Sequence, residues 1–238
     1  MIEQTRDDID YYYDSHPTEE DLMGESWLNA ELVDYLKSVV VWLFREQVCA
    51  IYKNFNFYQT TAKDEHPLAP DLAIIKGVTR GPIRSWRVGV HGPAPQVVFE
   101  IASEKTWVRD LTEKPAAYSE LGVEEYYAYD PNDPPLFESR REGQQLFGWR
   151  RDPSTGLLRK LSLRSDGTLW SPRLDSFLVP YGAYLRLYDR SWQLRLTEAE
   201  AEVEARRAAM RLAEAEAEKA RTFADKLHSL GIDPEQLI

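Results

Sequence analysis

The sequence predicts an α/β (α+β) fold: a mixed β-sheet flanked by helices, with added antiparallel strands and a long C-terminal helix. Three observations carry this expectation. Short apolar runs follow a helical stripe; a strand–helix–strand order spans residues 96–130; and the last 40 residues are rich in Ala, Glu and Arg. A strand–helix–strand unit implies a right-handed crossover and two parallel strands.

The helical stripe is Trp27, Leu28, Leu32, Tyr35, Leu36, Val39, Val40, Leu43 and Phe44, spaced to face a core. Thr18-Glu19-Glu20-Asp21 and Ser26 offer N-cap candidates. Strands are expected at 54–59, 72–75 and 97–102, the last being the most buried, while 85–90 reads either as a strand or as a surface excursion. A helix between Asp110 and Leu121 should close on Gly122. Pro115 interrupts it, so its regular part should begin near Lys114. Glu125–Tyr129 reads as a strand ended by Asp130-Pro131. Beyond Pro135, runs at 136–140, 146–150 and 159–163 suggest an antiparallel meander, with further extended pieces at 169–171, 177–180 and 185–188. From Thr197, a candidate N-cap, one helix of roughly 34 residues should extend about 50 Å. Val203, Met210, Ala217 and Ala224 recur every seventh residue with Leu227 beside them, a weak heptad that fits either a solvated helix or self-association. The expected domains are an acidic segment 1–20, a body 21–192 and a helical extension 193–238.

Composition narrows the function classes. Cys49 is the single cysteine, which excludes an internal disulfide and fits a cytoplasmic location. The N-terminus lacks the basic and apolar regions of a signal peptide, and no apolar run is long enough to span a bilayer. Residues 1–36 hold 11 acids and one base, and residues 197–238 hold 10 acids and six bases; within a total of −11 this leaves residues 37–196 at +3. A mildly basic body permits phosphate binding without demanding it.

Glu100 lies within the apolar run Val97–Ala102. An unpaired buried carboxylate costs several kcal/mol, so Glu100 requires a cation, a metal or a cleft. Asp71 opens the adjacent run Leu72–Ile75, and Lys114 begins the helix that follows. Two carboxylates and a lysine suit metal-assisted phosphodiester cleavage, because Mg²⁺ takes one or two carboxylates plus water and substrate phosphate. Bland readings stand beside these: Asp71 as a strand-start residue, Glu100 and Lys114 as a structural ion pair, and Asp110 as a charge favourable to a helix N-terminus. His16, His66, His91 and His228 have no metal-ligand spacing. Ser103 lacks a nucleophile elbow, and there is no phosphate-binding glycine loop.

The ordered set PDLAII, PQVVFEIASEKT and D-x3-K-x3-Y-x3-GV-x2-Y resembles the PD-(D/E)XK nuclease superfamily, and within it the bacterial Uma-type restriction-endonuclease-like family. The last element is Asp110, Lys114, Tyr118, Gly122, Val123 and Tyr126. Members are similar in carrying the lysine on the helix after the E-I-x-S strand, and many end in an Ala/Glu/Arg-rich helix closing on Leu-Gly-Ile-Asp-Pro, as residues 230–234 do here. One departure from the superfamily stands out: two residues after Glu100 is Ala102 rather than lysine. The resemblance implies a restriction-endonuclease-like fold, catalysis by Asp71, Glu100 and Lys114, and a Mg²⁺ or Mn²⁺ ion held by Asp71 and Glu100. It implies a DNA substrate, a homodimer and a further carboxylate from the first helix, here Glu31, whose bland reading is an exposed helix residue. From the residues themselves, Asp110 is a candidate support, and Lys105 and Arg109 are either phosphate contacts or an ordinary exposed basic loop. The rival expectation is an inactive nuclease-fold scaffold that binds nucleic acid, or a protein through its C-terminal helix.

Overall fold

The computed structural model describes residues 27–59, 66–139 and 144–230. The acidic segment 1–20, the N-cap candidates before Trp27, His16 and the closing residues 231–234 lie outside them. The chain forms two compact units, one running to Arg195 and one starting at Leu196.

Within the first unit, helix α1 (Trp27–Leu43) leads into strands β1 (Cys49–Lys53), β2 (Phe57–Tyr58), β3 (Leu72–Lys76), β4 (Trp86–Arg87) and β5 (Val97–Ile101). Helices α2 (Trp107–Thr112) and α3 (Lys114–Leu121) cross to β6 (Glu125–Tyr129). Then come β7 (Leu146–Arg151), β8 (Leu158–Lys160), β9 (Leu169–Ser171), β10 (Ser176–Tyr181) and β11 (Tyr184–Tyr188). The main sheet has the order β1-β3-β5-β6-β7-β8. Its β5–β6 pair is parallel and its other pairs are antiparallel, the mixed sheet that the strand–helix–strand order implies. A second, antiparallel sheet has the order β11-β10-β9, and β2 pairs with β4.

Alternation along the strands sorts side chains to two faces. Leu72, Ile74, Val97, Phe99, Ile101, Tyr127 and Tyr129 pack with α1 and with Leu169, Leu178, Leu185 and Leu187 of the second sheet. Ala73, Ile75, Val98, Ala102, Tyr126 and Ala128 pack on the other face with Tyr118 and Leu121 of α3, Trp86 and Phe137. Position 100 shares its face with Val98 and Ala102, and position 71 with Ala73 and Ile75. Both carboxylates of interest therefore point toward the α2–α3 side.

Several elements differ from the sequence expectation. Strand β1 was not anticipated; it is covered on both faces, so Val48-Cys49-Ala50-Ile51-Tyr52 lacks the period-two signal of a half-exposed strand. The 54–59 and 85–90 runs shrink to the two-residue strands β2 and β4, because their aromatic residues pack as a cluster of Tyr52, Phe55, Phe57 and Trp86 rather than along a ladder. Residues 136–139 form a short 3₁₀ turn instead of a strand: the Asp130 carboxylate accepts the backbone N–H of Asn132 and of Phe137 and folds the segment back. The 110–121 helix is split at Glu113. Pro115 has no N–H to bond back to Leu111, which ends α2, while the start of α3 tolerates it. Gly122 closes α3 with φ 100°, a conformation that only glycine adopts cheaply.

The second unit is helix α4 (Glu198–Ser229), 32 residues long. Thr197 caps it as expected and forms a capping box with Glu200: each side chain accepts the other's backbone N–H. No residue of α4 is buried. Among the described residues, no helix is long and apolar enough to cross a membrane.

Candidate active site

The site is built where the strand ends meet the start of α3. In the antiparallel β3–β5 register Leu72 faces Phe99, so one step outward sets Asp71 opposite Glu100. Pro70 is buried and Asp71 half-buried; the Asp71 carboxyl turns inward, and its Oδ2 accepts the backbone N–H of Ile101 at 2.6 Å. Glu100 is 3% exposed. Its Oε1 accepts the Tyr118 hydroxyl, and its Oε2 lies 3.1 Å from Lys114 Nζ. Lys114 Nζ lies 2.8 Å from Oδ1 of Asp110, whose residue is 1% exposed. The other Asp110 oxygen accepts the Thr106 hydroxyl at 3.4 Å.

Two carboxyl groups, of Glu100 and Asp110, thus close on one ammonium, and Asp71 adds its charge from farther away. Burial first, and then the negative charge of Glu100, push the Asp71 carboxyl well above its usual range, against the Ile101 N–H and Lys114. Asp110 is raised to about 7, chiefly by burial, with Lys114 opposing and Glu100 adding to the rise. Burial works against the Lys114 ammonium, but Glu100 and Asp110 outweigh it and raise Lys114 above its ordinary value. Lys114 therefore stays charged at neutral pH. Tyr118 is raised well above its ordinary value by burial and by Glu100, so it stays a neutral donor.

The structure brings Asp71, Glu100, Asp110 and Lys114 together. Asp110 is more than a helix-terminus charge, because it is buried and grips Lys114 one turn ahead of it. Glu31 is not in this cluster: its carboxylate accepts the Tyr184 hydroxyl at 2.7 Å. The same helix contributes Asn29 instead, two residues away and therefore on a different side of the helix. Asn29 Nδ2 donates to the carbonyls of Ile101 and Ala102, each at 3.3 Å, and fixes the end of β5. Asn29 was not anticipated, although it is a polar residue on the stripe of Leu32, Val33 and Leu36. Tyr118 was visible only as part of the motif; it stands one turn after Lys114, so both address Glu100 from one face of α3. Lys105 is exposed in the turn before α2, and Arg109 is exposed and pairs with Glu113 at 3.2 Å.

The family model "Uma2: Putative restriction endonuclease" matches residues 19–172. The chain belongs to the Uma2 family. Its four clustered residues lie inside the Uma2 span, whereas β10, β11 and α4 lie beyond it. Among solved structures the chain is similar to "a putative nuclease belonging to DUF820" from Anabaena variabilis ATCC 29413, 14% identical, with a TM-score of 0.42, covering 64% of this chain and 75% of that one. No curated protein matches this Uma2 member.

Proposed function

We propose that this chain is a Mg²⁺-dependent endonuclease, with Mn²⁺ as a substitute, that hydrolyses phosphodiester bonds in DNA and works as a cytoplasmic homodimer. The convergence of Asp71, Glu100 and Lys114 at one strand end carries the reading. Among the described residues no group of three or more His, Cys, Asp or Glu side chains is arranged to hold a metal. Two carboxylates do fit Mg²⁺, which keeps several waters and shares its remaining positions with substrate phosphate. Three carboxyls against one ammonium also leave a site short of positive charge, and Asp71 makes no ion pair among the described residues. Asp71 and Glu100 would hold the ion, which when bound polarises the phosphate and lowers the pKa of water.

The remaining steps belong to the chain. Lys114 is held protonated, so it acts as donor and counter-charge to the phosphate and the attacking water, not as a base. Asp110 anchors the ammonium from behind, and Tyr118 fixes the Glu100 carboxylate. Lys105 and Arg109, exposed around the start of α2, supply phosphate contacts.

One observation favours the scaffold reading: both Glu100 oxygens already have partners, Tyr118 and Lys114. Calorimetric titration of Mg²⁺ and Mn²⁺ into the wild type, Asp71→Ala and Glu100→Ala, with plasmid nicking on the same samples, separates the two. The nuclease reading expects binding and nicking in the wild type, both lost in each variant. No metal binding with nucleic acid present, together with no nicking, would establish the scaffold.

A further inference from the structure

The second sheet has an inner and an outer face. Leu169, Leu178, Leu185 and Leu187 are buried inward, and the outer face of a half-covered antiparallel sheet is ordinarily polar. Here it carries a cross-strand row of rings. Phe177 of β10 stands opposite Trp170 of β9 on one side and Tyr188 of β11 on the other. Trp192, in the turn after β11, stacks on Phe177 with centroids 4.8 Å apart and planes 5° apart. Trp192 remains 47% exposed.

Cations frame the rings. Arg164 lies 5.1 Å over Phe177, and Arg190 lies 4.8 Å over Trp170. Their acidic partners are Asp166 for Arg164, and Asp175 for Arg190 and Arg195. Those acids do not neutralise the region. Residues 159–195 hold seven Lys and Arg against three Asp, a charge of +4, while residues 37–158 sum to −1. Arg159 and Arg173 of this segment pair with Asp152 and Glu124 outside it, so the segment with its partners keeps an excess of +2.

The turn holds its ring in place. Trp192 has φ 59°, unfavourable for a bulky residue. The Asp189 carboxylate accepts the N–H of Ser191 and of Gln193, and the Asp189 carbonyl accepts that of Trp192.

We propose that this face, Trp170, Phe177, Tyr188 and Trp192 with Arg164 and Arg190, is a stacking platform for single-stranded nucleic acid. Unpaired bases lie on the exposed Trp192 ring, and arginines meet the phosphates. Rings of this kind stack any base, and a basic rim tracks any backbone, so the platform selects strand form rather than sequence. A duplex hides its base faces and would gain only the electrostatic part. The platform extends the nucleic-acid reading given above and is tested without turnover.

The test uses the full chain in EDTA, with anisotropy of a fluorescein-labelled oligodeoxythymidylate of about a dozen nucleotides. The wild type binds saturably, prefers the single strand to a duplex of equal length, and weakens as salt rises. Trp192→Ala lowers affinity about tenfold, and Trp192→Phe recovers most of it. Trp192→Gly removes the ring and relieves the positive φ, so it loses affinity while keeping the wild-type unfolding midpoint. Absence of binding, equal affinity for duplex, or unchanged affinity in both Trp192→Ala and Trp192→Gly would overturn the platform. A wild type that nicks plasmid without binding the oligonucleotide sinks the platform alone; one that binds without nicking keeps the platform and sinks the nuclease.

Discussion

Lys114→Met removes the one ammonium from the carboxyl cluster and keeps most of the hydrophobic stem. The wild-type Lys114 side chain is 12% exposed and sits 3.1 Å from Glu100 and 2.8 Å from Asp110. Removing one partner of a buried ion pair costs roughly 3–5 kcal/mol, because the other charge is stranded. The lower end applies here, since Asp110, already raised to about 7, can take up a proton in response. About 3 kcal/mol near neutral pH corresponds to a fall of about 6–12 °C in melting temperature for a chain of this size.

The pH dependence has a definite sign. In the wild type, the folded pKa of Lys114 is raised, so its contribution is full below its unfolded value near 10.5 and is lost only as pH rises past the folded one. Asp110 is an acid raised in the fold: the folded state binds its proton more tightly, a contribution present at low pH and lost as pH rises from about 4 through about 7. Without Lys114, Asp71 and Asp110 lose the cation that opposes their rise and are raised further. The variant should therefore trail the wild type only slightly at pH 5 and most at pH 8. Urea unfolding in EDTA, followed by tryptophan fluorescence at the two pH values, measures this gap. A loss under about 1 kcal/mol at pH 8, or a gap wider at pH 5, would refute the claim that Lys114 neutralises the cluster.

Two further outcomes are expected. Tyr118→Phe strips the hydroxyl from Glu100 Oε1, so stability should fall by about 1–3 kcal/mol and nicking by about tenfold or more; an unchanged nicking rate would show that Glu100 needs no such restraint. On α4, Ala217→Asp in the middle of the Val203–Met210–Ala217–Ala224 seam should abolish concentration-dependent dimerisation in sedimentation, whereas Ala215→Asp, outside the seam, should not.

The legible part of the fold was the part with one periodicity at a time. Val97–Ile101, Glu125–Tyr129 and the capped helix from Thr197 were each readable because a buried run, a Gly122 stop or a Thr197 cap marks them. Strand β1 was not, because burial on both faces erases alternation. The turn at 136–139 was not, because it depends on Asp130, whose carboxylate acts seven residues along the chain. The candidate site divides the same way. Asp71, Glu100 and Lys114 were readable because charges beside apolar strands require partners. Asn29 was missed because its partners are the carbonyls of Ile101 and Ala102, more than 70 residues away, and a carbonyl leaves no mark on a sequence. Glu31 was drawn in by its helix, and only the rotation of that helix shows that it faces Tyr184 instead.

The absent lysine at position 102 now has a physical reading. By alternation, position 102 shares the face of Glu100, and a lysine on the strand would reach the carboxylates from there. In this chain Ala102 is 1% exposed and belongs to the same packed cluster as Tyr118 and Tyr126, which leaves no room for a long side chain. Its N–H bonds to the Tyr129 carbonyl, and its own carbonyl accepts from Asn29 and Asn132, so the backbone there is fixed as well. The cation arrives instead from the helix packed on that face, at the first residue of α3. The break at Glu113 and Pro115 lets Lys114 turn back to Asp110 while it faces Glu100. The ammonium thus reaches the carboxylates, but its position depends on a joint between two short helices rather than on strand register. A strand lysine would be held by the ladder alone; Lys114 needs a second carboxylate to aim it, which is why Asp110 is buried beside it.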